Sequence, residues 1–151
     1  MPTTANGAQV RAGTLCLVNR ERTSRGLRAL RHDSQLRKVA GRYSRQMVRD
    51  SFFDHVGPSG STVRSRIRGT TYLSRAATWS LGENLYWGSG DRATPQESVE
   101  GWMHSPGHRR NVLDRRFRDI GIGIAIGAPE DVAGTPSATY TTDFGARTYR
   151  K

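Results

Sequence analysis

Residues 119–127 read Asp-Ile-Gly-Ile-Gly-Ile-Ala-Ile-Gly, and no other stretch constrains the fold as tightly. Strand side chains alternate between faces, so Ile120, Ile122, Ile124 and Ile126 share one face while Gly121, Gly123 and Ala125 share the other. The bulky face must be buried. The bare face lets another layer approach closely, which is the pattern of a strand inside a sandwich. After a turn-rich run over 128–137, Tyr140, Thr142 and Phe144 alternate with Thr139, Thr141 and Asp143, which gives the expected hairpin partner.

Helical signals come first in the chain. Val10, Thr14, Leu17 and Val18 recur on one helical face, so a helix is expected over about residues 9–22, ended by Gly26. Leu36, Val39, Ala40, Tyr43 and Met47 mark a second helix, capped by Asp33 or Ser34 and running to about Asp50. Ser61-Thr62 precedes a short helix with Val63 and Ile67. Thr94-Pro95-Gln96-Glu97 combines an N-cap, a proline at the first helical position and a glutamate at the third. The helix that follows turns Val99, Trp102 and Met103 inward and is interrupted at Ser105-Pro106-Gly107. Helices first, strands last and no alternation of strand and helix argue for an α+β fold over a parallel sheet.

A chain of 151 residues is long enough for one domain with its own core. Its net charge of +11 is carried almost wholly by arginine and sits in the first half. Residues 1–68 hold 14 basic against 4 acidic residues, whereas residues 69–151 hold 10 against 9. Such a field favours an anionic surface as partner, although a solvated arginine face is the plainer reading. Basic residues are not interleaved with aromatics on a strand, so no specific nucleic acid is expected. No stretch has the length of a transmembrane segment, and the opening MPTTANGAQV lacks the apolar run of a signal peptide. The single cysteine, Cys16, excludes an intrachain disulfide; beside Leu15, Leu17 and Val18 it is read as a buried thiol. Trp79, Tyr86 and Trp87 are read mainly as core, and as an apolar wall for a ligand in the second instance.

Four stretches, in order over about 130 residues, resemble a known family. They are Leu17-Val18-Asn19-Arg20-Glu21-Arg22 with Gly26-Leu27 and Leu30; Phe52-Phe53-Asp54-His55 with Gly60 and Arg66; Gly82-Glu83-Asn84-Leu85; and Trp102-Met103-His104-Ser105-Pro106-Gly107-His108-Arg109 with Asn111 and Leu113. Asp143-Phe144-Gly145 resembles the closing strand of the same pattern. Together they are similar to the bacterial CAP domain, the SCP-like group of cysteine-rich secretory, antigen 5 and pathogenesis-related proteins.

The resemblance implies a three-layer α-β-α sandwich with a small, mainly antiparallel sheet and a large cleft. It implies one CAP domain over residues 9–147, with residues 1–8 flexible and residues 148–151 a tail. It also implies a secreted or cell-wall-associated protein. Carried over residue by residue, His55, Glu83, Asn84, Ser105 and His108 line the cleft, and His55, Glu83 and His108 are the metal-ligand candidates. A second acid would stand three residues after the motif tryptophan, where this chain has Ser105. The metal expected is therefore weak Zn²⁺ or another divalent cation, not required for folding. The alternative is a polar network satisfied without metal. A ligand role for His104 and a nucleophilic Ser105 activated by His108 are the lesser possibilities, since Pro106 and Gly107 break the helix between the histidines and Ser105 suits an N-cap. The functional expectation is a binding module for a small ligand, a lipid or a cell-envelope component, without catalysis. A hydrolase using the same cleft and a lipid or sterol carrier are the alternatives.

Overall fold

The computed structural model describes residues 1–150. Five helices and four strands follow in the order α1 (Gly7–Thr23), β1 (Arg31–His32), α2 (Ser34–Arg49), α3 (Val63–Arg68), β2 (Ala76–Ser89), α4 (Pro95–His104), α5 (Pro106–Leu113), β3 (Asp119–Ile126) and β4 (Ser137–Tyr149). Helix α1 thus starts inside the segment expected to be flexible, and β4 runs two residues past the expected domain end.

The glycine-rich strand behaves as its sequence demands. β3 pairs antiparallel with β4, Ile120 opposite Phe144 and Ile124 opposite Tyr140. A Cβ built on Gly121 would stand 2.1 Å from the Arg37 nitrogen, and one on Gly123 would stand 2.1 Å from the Ala40 carbonyl carbon. Helix α2 therefore lies with its backbone directly on the bare face. On the bulky face Ile120 and Ile122 pack with Val10, Val18, Phe117, Phe144 and Trp102, so α1, α4 and α5 form the third layer. The α-β-α sandwich follows from one strand having one face of each kind.

The sheet order is β1-β3-β4-β2, antiparallel except for the short parallel pair of β1 with β3. The capping signals act where expected. Asp33 accepts from the Gln35 and Leu36 amides, Thr62 from Ser65 and Thr94 from Glu97.

Two expectations fail, for Cys16 and Trp79, and one buried charge, Arg22, was not foreseen. Cys16 is exposed, because the buried stripe of α1 is Val10, Thr14, Val18 and Arg22, and Cys16 sits two positions off it. Arg22, read only as part of a motif, is fully buried. Its guanidinium donates to the carbonyls of Arg28, Val112 and Asp114, tying the start and end of the α1 layer together. Trp79 is 38% exposed on β2, with the Arg64 guanidinium over its ring, while Tyr86 and Trp87 are half-buried.

Candidate functional site

β2 occupies an edge of the sheet, and alternation turns its neighbours Glu83 and Asn84 to opposite faces. Glu83 faces the α2 side. There His55, from the loop after α2, sets its Nδ1 2.9 Å from Glu83 Oε1. A carboxylate oxygen accepts, so Nδ1 carries the proton, and in the neutral ring Nε2 keeps its lone pair. Arg66 of α3 donates to Glu83 Oε2 at 2.6 Å and to the carbonyls of His55 and Ser61. The same guanidinium lies 3.4 Å from the ring centroid of Tyr43, and Tyr43 Oη donates to the Asp54 carbonyl. Arg66 thus clamps the His55 loop to the sheet and holds one oxygen of Glu83 while His55 holds the other.

Beneath this network lies a carboxyl that the sequence reading placed only in a closing strand. Asp143 is the cross-strand partner of Glu83 and is fully buried; no donor reaches either oxygen, and its hydrogen-bonding neighbour is the Glu83 carboxylate, to which a protonated Asp143 donates. Burial first, and then the Glu83 charge, hold its carboxyl well above the usual range, with Arg66 opposing in smaller measure. The protonated form is favoured. No local motif marks Asp143; only the register of β2 against β4 brings the two acids together.

Asn84 faces the other side, fully buried, and joins strand to helix rather than lining an open cleft. Its Nδ2 donates to the His108 carbonyl, and its Oδ1 accepts from Asn111, which also donates to the Glu83 carbonyl. These bonds seat α5 on β2. His108 is held there half-buried, with Nδ1 buried and unpaired. Burial, and secondarily the charge of His55, lower its pKa, whereas the Glu83 hydrogen bond raises that of His55. The two imidazoles come from opposite layers and share one field at the β2 edge.

The site is a shelf more than a deep cleft, because the His55 side chain is 54% exposed while that of Glu83 is 2% exposed. A cavity of about 220 Å³ bordered by Tyr43, Gln46, Ser61 and Arg66 abuts it, and four larger cavities are lined by other residues. Ser105 is the N-cap residue of α5 without a side-chain cap bond. Since His108 Nδ1 has no partner, that nitrogen does not activate the Ser105 hydroxyl. His104 points elsewhere, its Nδ1 2.9 Å from the Glu100 carbonyl.

Among the described residues no three His, Cys, Asp or Glu side chains stand together in a metal-holding arrangement. The donor chemistry explains this. Both Glu83 oxygens already accept from cationic or N–H donors, so Glu83 fits the role of orienting His55 from behind. The residues fit two imidazole donors, not three protein ligands.

A model of the cysteine-rich secretory protein family, CAP, matches residues 15–142. The uncharacterized protein YkwD of Bacillus subtilis strain 168 is 36% identical over 107 residues, which cover 71% of this chain and 39% of YkwD. The uncharacterized membrane protein YlbC of the same strain is 30% identical over 111 residues, 73% of this chain and 30% of YlbC. The matched part is thus well under half the length of either relative. Among solved structures, an outer surface protein of Borrelia burgdorferi superposes with a TM-score of 0.74 at 20% identity, over 98% of this chain and 97% of that one. An extracellular SCP-domain protein of Bacillus anthracis gives 0.69 at 24% identity, over 97% of this chain and 44% of that one. No described helix is long and apolar enough to cross a membrane. Family model, ordered motifs and fold agree, and the chain belongs to the CAP family of cysteine-rich secretory proteins.

Proposed function

We propose that this domain is an extracellular or cell-envelope binding module whose His55–His108 shelf takes a divalent cation weakly, without catalysis. The observation that carries the reading is the pair of imidazoles at the β2 edge, one oriented through Nδ1 by Glu83 and the other kept neutral by burial. His55 and His108 would hold the ion, and Zn²⁺ there would present open positions to a ligand group. Two protein donors in place of three or four make the affinity low. The likeness to an outer surface protein of Borrelia burgdorferi and to an extracellular protein of Bacillus anthracis supports the location.

Calorimetric titration with Zn²⁺ tests the reading. The parent should bind weakly, with affinity falling as pH drops from about 7.5 to 5.5, because the imidazoles must be neutral to coordinate. His55→Ala and His108→Ala should each abolish the heat while retaining the fold. Absence of binding by the parent at millimolar Zn²⁺, or undiminished binding in both variants, leaves only a polar network.

A second reading, carriage of an anionic lipid, is favoured by a different feature. Two adjoining cavities of about 380 and 440 Å³ between α1, α4 and α5 share Met103, His104 and Arg109. Leu17, Val99 and Leu113 give them an apolar floor; Arg20, Arg109 and Arg110 outweigh the acids of the rim, Glu100 and Glu21, the latter paired with Arg25. Mass spectrometry of organic extracts from purified protein decides it: a stoichiometric lipid supports carriage, and its absence removes the reading.

A further inference from the structure

The edge of β3 is only partly covered. β1 occupies its first two rungs, Arg31 beside Asp119 and His32 beside Ile120, and then Asp33 caps α2 and the chain leaves the edge. Asp33 N–H donates to the Ile120 carbonyl at 2.9 Å on that side, while Gly127 N–H donates to Ser137 on the β4 side. Main-chain direction alternates along a strand, so Ile122, Ile124 and Ile126 turn their N–H and C=O groups outward, where no further strand stands. Side chains cover this edge at Ile122, which is buried, and it opens toward Ile124 and Ile126, where an unpaired edge is a template for another chain.

The space beside it has the shape and charge for one. Two cavities of about 330 and 610 Å³ meet at Arg11 and run along the edge from His32, past Ile122, to Ile124 and Ile126. Small residues of α1, Gly7, Ala8 and Ala12, keep one wall low, and Thr3 and Thr4 ahead of α1 border its far end. Arg37, Arg45 and Arg49 of α2 form the other, and no acidic residue lines either cavity. Arg11, Arg37 and Arg45 have no ion-pair partner among the described residues. Ile126 is 43% exposed at the far end.

We propose that the open edge of β3 between α1 and α2 binds an extended acidic segment of another protein, which adds to the sheet in line with β1. Backbone hydrogen bonds to Ile122, Ile124 and Ile126 supply the affinity common to any extended chain, and the arginines select acidic side chains. A second copy of this chain is disfavoured as occupant, because each copy would bring the same arginines and a net charge of +11. The arginines also bear on a simpler role, since charged side chains beside an edge deter sheet-to-sheet association.

The probe is a labelled, end-capped peptide of alternating glutamate and valine, about eight residues long to span the open rungs. Its counterpart is the same peptide N-methylated at alternate residues, with equal charge but without ladder donors. Anisotropy should show the parent peptide binding at least about tenfold more tightly than its N-methylated form. Amide exchange at Ile122, Ile124 and Ile126 should slow by at least about tenfold on binding. Arg45→Gln, and separately Arg11→Glu with Arg45→Glu, should weaken binding with an unchanged circular dichroism spectrum. Equal binding of both peptides, or binding without protection of those amides, overturns the proposal and leaves the arginines as guards of the edge. Protection that depends on protein concentration in the absence of peptide overturns it in favour of a paired copy.

Discussion

Glu83 and Asp143 stand directly opposite each other on β2 and β4, both buried, and only Glu83 receives donors at its oxygens. Two carboxyls on one sheet face cannot both ionise cheaply, so the pair divides the roles. Arg66 and His55 hold the oxygens of Glu83, while burial and the Glu83 carboxylate push Asp143 toward its protonated form.

Asp143→Asn should therefore stabilise the protein at neutral pH. A carboxyl raised above its unfolded value contributes stability that is present below about pH 3.9 and lost as pH rises through the folded value. The substitution removes that loss, so the variant should melt higher than the parent at pH 7, with the difference vanishing near pH 3. Thermal melting at both values checks it, and a lower melting temperature at pH 7 would contradict the assignment.

His55 and His108 should titrate on opposite sides of the ordinary histidine value in metal-free protein, His55 above it and His108 below. His55 then stabilises the fold below about pH 6.5 and loses that contribution as pH rises through its folded value. His108 does the reverse, its contribution being lost as pH falls through its lowered folded value. Ring-proton NMR in the presence of chelator measures both. Glu83→Gln should bring His55 down, and His55→Ala should move His108 up, since His55 contributes to its lowering.

Gly123→Ala should cost about 3 kcal/mol or more, the upper range for overpacking, because the new methyl would meet α2 backbone at Ala40 and Gly41 rather than a movable side chain. Gly13→Ala on α1 meets nothing within 4 Å and should gain about 0.5–1 kcal/mol from reduced unfolded-chain freedom. Denaturant titration of the two variants separates close packing from a general intolerance of alanine at glycine sites.

Trp102 is 1% exposed and donates its indole N–H to the Leu85 carbonyl at 3.0 Å, joining α4 to β2. Trp102→Phe should cost about 1–3 kcal/mol by leaving that carbonyl unpaired. Trp102→Ala should cost about 3–5 kcal/mol through the cavity it opens. A melting temperature unchanged in both variants, with altered ligand binding, would instead make Trp102 part of the site.

The sequence by itself determined the α+β layering, the sandwiched β3 and the helix caps. The isoleucine-glycine alternation of β3 requires a layer on each side of the strand, though that α1 takes the bulky face and α2 the bare one was shown only by the structure; Asp33, Thr62 and Thr94 cap within three residues of themselves. The motif histidines and Glu83 were legible as candidates from the family pattern, but their roles were not. β2 escaped reading as a strand because its faces are mixed: Glu83 sits in a network, Asn84 under α5 and Trp79 in solvent. The pairing of Glu83 with Asp143 across 60 positions, the Arg66 clamp, the buried Arg22 among carbonyls and the open edge of β3 were decided by tertiary structure alone. Each depends on strand register or layer packing, which joins residues far apart in the chain and leaves no spacing within it to read.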